Sequence, residues 1–88
     1  MSDTIDRIRQ KLGALSPTGL DITDDSASHA GHAGAKSGGG HFFLTIVSEQ
    51  FVGKATLARH RMVYDALGDM IQREIHALSI KAYTAGEL

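Results

Sequence analysis

The sequence predicts a small α+β domain whose elements run helix, strand, strand, helix, strand, giving a three-stranded mixed sheet with its helices packed on one face. Three observations carry this expectation. Apolar residues recur at helical spacing in two stretches, one at the N-terminus and one in the second half. Between them lie two segments with strand patterning, and a third such segment follows the second helical stretch. At 88 residues the chain supports one domain over 1–88. A domain of this size buries roughly 60 to 65% of the surface its unfolded chain exposes.

The first helix is expected from about Thr4 to Leu15. Ile5, Ile8, Leu12 and Leu15 share one face, Asp6, Arg7, Arg9 and Lys11 fall elsewhere, and Asp3 is placed to cap it. Pro17, with Ser16, Thr18 and Gly19 around it, ends that helix. Leu20 and Ile22 then alternate with Asp21 and Thr23 as a short strand with one buried face. From Ala27 to Gly40 the residues are almost all Ala, Gly, Ser and His, with Lys36 the one charged side chain. Such a stretch holds too little apolar surface to order itself and reads as a flexible loop, long enough that a functional role is expected.

His41 to Ser48 (HFFLTIVS) is dense in aromatic and β-branched residues and reads as a strand with apolar groups on both faces. After a turn through Glu49 to Lys54, the longest helix is expected from about Ala55 to Ile71. Leu57, Tyr64, Leu67 and Ile71, joined by Val63 and Met70, form its apolar stripe, and His60 shares their angular position. A helical turn around Gln72 to Ile75 leads into the last strand, His76 to Thr84. There Leu78, Ile80 and Ala82 alternate with Ala77, Ser79, Lys81 and Tyr83.

Hydrophobic residues make up 42% of the chain and charged residues 22%, and the formal net charge is −1. That balance exerts no overall pull on nucleic acid or on an anionic membrane, so polyanion binding needs a local basic patch. There is no cysteine, which excludes a disulfide framework. The N-terminal MSDTIDRIRQ lacks the apolar run of a secretory signal, and nothing approaches the ~20 apolar residues that span a bilayer. A soluble, cytoplasmic protein is expected.

Five histidines are the chemically distinctive residues. Imidazole titrates near physiological pH and is the commonest protein metal ligand, so His29, His32 and His41, in or beside one glycine-rich stretch, point to metal binding or proton chemistry. Without a thiolate, any iron or zinc site must use nitrogen and oxygen ligands or borrow sulfur from a partner. A lone histidine on an apolar helix stripe ordinarily packs and hydrogen-bonds, which is the bland reading of His60. The bland reading of His29 and His32 is a solvated loop.

HFFLTIVSEQFVGK, followed by LARHRMVYDAL and IHALSIKAYT, closely resembles the BolA family, and the resemblance runs from Ile5 through Glu87. Its most specific pieces are His41–Phe42, the F-x-G of Phe51 to Gly53, RHR at Arg59 to Arg61 and IHAL at Ile75 to Leu78. The resemblance implies a class II KH-like αββαβ fold, in agreement with the element order read from periodicity. It further implies a partnership with monothiol glutaredoxins of the CGFS type, with a 2Fe-2S cluster shared between the two proteins and glutathione. The chain would be monomeric alone and heterodimeric with glutaredoxin. Some bacterial members are also described as transcriptional regulators tied to stress and cell shape.

In the family's bridging pattern one ligand comes from the loop between the first two strands and the other is the histidine opening the last strand. His76 of IHAL matches the second position. SHAGHAG offers both His29 and His32 for the first, His29 lying at the offset expected after the strand. His41, at the entrance of its strand, and His60 are read from their positions as candidates to support a ligand. Nitrogen ligation raises a cluster's potential relative to four-thiolate ligation, and protonated imidazole cannot ligate iron, so binding weakens in acid.

The competing reading is nucleic-acid binding through the KH-like fold. A KH domain clamps the backbone with a GXXG loop before a helix; Phe51, Val52, Gly53 and Lys54 stand at the comparable place with one glycine instead of two. Lys54, Arg59, Arg61 and Lys81 are the candidate contacts, although such charges commonly form only a solvated face. An enzyme is not expected. The chain lacks a cysteine nucleophile and a recognisable Ser-His-Asp context, and SGGG at Ser37 to Gly40 precedes a strand where a phosphate loop would precede a helix.

Overall fold

The computed structural model describes residues 3–24 and 40–88. Apart from Gly40, the expected loop at 27–40, with His29 and His32, lies outside the described residues. Helix α1 spans Asp3–Leu12 and continues as a 3-10 turn at Gly13–Leu15. Strand β1 is Gly19–Asp24, β2 is Gly40–Val47, and a 3-10 turn at Glu49–Phe51 leads to α2, Thr56–Leu67. A four-residue helix α3, Met70–Arg73, precedes β3, Ile75–Tyr83, and a 3-10 turn at Ala85–Glu87 follows it.

The sheet order is β1-β2-β3. β1 runs antiparallel to β2, whereas β3 runs parallel to it. A parallel neighbour requires a crossover, which α2 and α3 supply. The central strand therefore carries the apolar load: Phe42, Leu44 and Ile46 are buried on one face together with Ile8 and Leu12 of α1, Val63 and Leu67 of α2, and Met70. On the opposite face the cross-strand rows are polar apart from Phe43: Thr23, Phe43 and Ser79 in one and Asp21, Thr45 and Lys81 in the next. These line a shallow depression of about 200 Å³, with Phe43 43% exposed. This is the mixed sheet with helices on one face that the sequence predicts.

Three local expectations are corrected. Gly40, assigned to the loop, pairs with Ile75 and starts β2. The long helix stops at Leu67 and not at Ile71, because Gly68 adopts φ +60°, a conformation that L side chains rarely take, and Met70 to Arg73 resume as α3. The apolar stripe is also rotated: Leu57 is 71% exposed and Tyr64 40%, while Val63 and Leu67 are buried, with Met62 and Ala66 packed beside them. Apolar residues occupy both sides of this helix, and the side that meets β2 is the buried one.

Ser48 joins β2 to the end of α1. Its hydroxyl, fully buried, donates to the Leu15 carbonyl at 2.6 Å and accepts from the Gln50 N–H at 3.1 Å. Alanine there strands both groups, at a cost of about 1 to 3 kcal/mol. The expected result for Ser48→Ala is a lower urea midpoint with an unchanged slope; an unchanged midpoint would refute this role.

Candidate functional site

The candidate site lies where β2 and β3 begin. Gly40 pairs with Ile75 and His41 with Ala77, so the register shifts by one residue and His76 has no partner across the sheet. A bulge of this kind bends a strand and re-aims the side chain at the irregularity. His76 is exposed. The strand start is anchored just upstream: the Gly40 N–H donates to the Glu74 carbonyl at 3.0 Å, and the Glu74 N–H donates to the Met70 carbonyl at 3.0 Å. The Glu74 carboxylate meets the Arg7 guanidinium of α1 at 2.7 Å. His41, half-buried, has its ring 5.2 Å from that of Phe43, tilted by 35°.

The flanks of the histidine-rich stretch stand at this same end. Asp24 pairs with Phe42 and Gly40 with Ile75, so both described flanks of that stretch stand at the end of the sheet that carries His76. His60 is elsewhere. Its neighbour Arg59 donates to the Ala82 carbonyl at 3.0 Å, near the far end of β3, and Ala82 is separated from His76 by roughly 20 Å of strand. The structure therefore brings His41 to the neighbourhood of His76 and leaves His60, half-buried on α2, outside it. Among the described residues no group of three or more His, Cys, Asp or Glu side chains is gathered to hold a metal ion.

The four candidate nucleic-acid contacts are not gathered on one surface. Lys54 and Arg61 are exposed before and on α2, whereas Lys81 is on the opposite, open face of the sheet. Arg59 is committed internally. Its guanidinium makes two bonds to Glu87 at 2.6 and 2.8 Å, donates from Nε to the Lys54 carbonyl at 2.8 Å, and lies 5.9 Å over the Phe51 ring. With its side chain only 11% exposed, Arg59 ties α2 to the C-terminal turn.

That tie has a pH signature. The hydrogen bonds from Arg59, then the Thr84 N–H, lower the Glu87 pKa from 4.5 to about 2. In this interval the folded chain binds fewer protons at Glu87 than the unfolded chain does. Its contribution to stability is therefore fully present above pH 4.5 and lost as pH falls toward 2. Thermal melts across that interval should fall less steeply for Glu87→Gln than for the wild type; parallel curves would show that the pair adds nothing.

A family model described as BolA-like protein matches residues 12–87. The chain belongs to the BolA family. This BolA-family chain is 46% identical, over 93% of its length, to SufE-like protein 1, chloroplastic/mitochondrial, of Arabidopsis thaliana, of which it spans only 24%. It is 39% identical to the DNA-binding transcriptional regulator BolA of Escherichia coli (strain K12), over 93% of this chain and 76% of that one. Among solved structures, the BolA domain of SufE1 from Arabidopsis thaliana superposes with a TM-score of 0.84 at 43% identity, covering 100% of this chain and 99% of that one. No helix among the described residues is long and apolar enough to cross a membrane.

Sequence reading missed the register shift that singles out His76 and the Arg7–Glu74 contact behind it. It also placed Arg59 among the candidate phosphate contacts. Arg59 entered that set as one of four basic residues that could form a local patch, a grouping that says nothing about a carboxylate 28 residues later in the chain.

Proposed function

We propose that this BolA-family chain is a partner of a monothiol CGFS glutaredoxin, sharing with it a 2Fe-2S cluster for iron–sulfur trafficking or for iron and redox regulation. The observation that carries the reading is the exposed His76 at the register shift, beside the flanks of the stretch that holds His29 and His32. One exposed imidazole fits a shared site better than a private one. With no cysteine in the chain, thiolate sulfur comes from the glutaredoxin and glutathione, and this chain supplies nitrogen from His76 and from His29 or His32. His41, which pairs with Ala77, the residue after His76, is the candidate to support the ligand. A cytoplasmic setting and a monomer that becomes a heterodimer belong to the same reading.

The test is to titrate the purified chain into a cluster-loaded monothiol glutaredoxin and follow visible absorption and circular dichroism. A new spectrum at one-to-one stoichiometry is expected; an unchanged spectrum with no complex on gel filtration ends the proposal.

The name of the bacterial relative favours a second reading, a DNA-binding regulator. Lys54 and Arg61 are its best-placed contacts here, since Arg59 is held by Glu87 and Lys81 faces away. Few phosphates would be neutralised, so the salt dependence of binding would be shallow. Under this reading a Lys54→Ala, Arg61→Ala double variant loses retention of a duplex.

A further inference from the structure

Glu74 is the junction of four elements. Its carboxylate receives Arg7 from α1, its N–H closes the last turn of α3, its carbonyl takes the first N–H of β2, and β3 begins at the next residue. His76 follows two residues later, at the point where the β2–β3 register slips. The side chain of Glu74 is 21% exposed, yet its Oε2 is buried and makes no hydrogen bond among the described residues. Arg7 Nη1 meets that oxygen at 2.7 Å. Charge attraction from a side chain on a different helix is thus what offsets the desolvation of this oxygen. Without Arg7, the carboxylate gains by turning outward to water, and the peptide it belongs to is the one that receives Gly40.

We infer that Arg7 and Glu74 are positioning residues for His76: the ion pair clamps α1 to the start of β3, holds the Gly40 N–H on the Glu74 carbonyl, and so fixes the register slip that presents the imidazole. The inference deepens the shared-cluster reading and rests on it for its consequence, although the clamp itself is a property of the chain alone. Outer partners that orient a metal-binding histidine usually hydrogen-bond its ring. Here the orientation is set through the backbone, and the residue that sets it, Arg7, is on another element.

The experiment has two arms. In the first, the chain alone is studied by NMR as wild type, Arg7→Ala, Arg7→Lys and Glu74→Gln. Arg7→Ala and Glu74→Gln should speed amide exchange at Gly40 and shift the His76 ring resonances, while amides in the middle of β2 stay as protected as in the wild type. Arg7→Lys should restore both signals, because it keeps the charge. In the second arm the same proteins meet cluster-loaded monothiol glutaredoxin. Arg7→Ala should weaken the complex by about tenfold, the low end of what outer partners of metal ligands contribute, and alter its circular dichroism.

A merely structural pair would lower Tm and leave the Gly40 and His76 signals as they are, and that result overturns the inference. So does an unweakened complex with an unaltered spectrum. If the wild type forms no complex while Arg7→Ala still moves His76, the shared-cluster reading fails and the clamp stands.

Discussion

Replacing His76 with alanine should abolish the proposed cluster-sharing complex with glutaredoxin while leaving the fold intact. Outer partners of metal ligands contribute 10- to 100-fold in affinity, so loss of the ligand itself should exceed about 100-fold. Iron left with a vacant coordination position would take water or revert to the glutaredoxin's own arrangement, and the visible circular dichroism would return to that of glutaredoxin alone. His76 is exposed and has no partner across the sheet, so the change in folding stability should stay within about 0.5 kcal/mol. Loss of the spectrum without loss of Tm thus separates ligation from packing. His60→Ala is the matched control, since His60 stands beside Arg59 near the far end of β3. A His76→Ala protein that reproduces the wild-type spectrum would remove His76 from the site.

The largest expected effect on stability belongs to Phe51. Its ring is fully buried in the core, carried there by the 3-10 turn between β2 and α2, with the Arg59 guanidinium above it. Truncating a buried phenylalanine to alanine costs about 3 to 5 kcal/mol in transfer and cavity energy. At roughly 0.05 to 0.15 kcal/mol per residue, an 88-residue domain has about 4 to 13 kcal/mol in total. Phe51→Ala therefore removes about a quarter of the stability at the least and should leave much of the protein unfolded at modest urea. Arg59 would lose its aromatic neighbour and α2 its anchor to the turn. Chemical denaturation followed by far-UV circular dichroism measures this, and a loss below about 1 kcal/mol would place the ring outside the cooperative core.

Much of the architecture is legible residue by residue. The alternation at Leu78, Ile80 and Ala82 matches the buried side of β3, and HFFLTIVS is the central strand shifted by one residue, gaining Gly40 at its start and giving up Ser48 at its end. The error over α2 shows where such reading stops. Periodicity gathers Leu57, Tyr64, Leu67 and Ile71, with Val63 and Met70, into one apolar stripe and ranks none of them. Packing against the core buries Val63, Leu67 and Met70, half-buries Ile71, and leaves Leu57 and Tyr64 exposed.

At the candidate site the histidine that opens the last strand was visible from its match to the family's IHAL, because a local motif needs no tertiary information. That this chain itself supplies no thiolate was visible from composition alone. What the sequence determined by itself is thus what depends on composition and near neighbours: the element order, the faces of the strands, the lack of cysteine and the family. Only the tertiary structure decided that His76 sits at a register slip, that Arg7 of α1 reaches Glu74 behind it, that Arg59 is spent on Glu87, and that Lys81 faces away from Lys54 and Arg61. Each of these is a contact between residues far apart in the chain. Their pairing is set by how the helices pack across the sheet, and no local pattern encodes it.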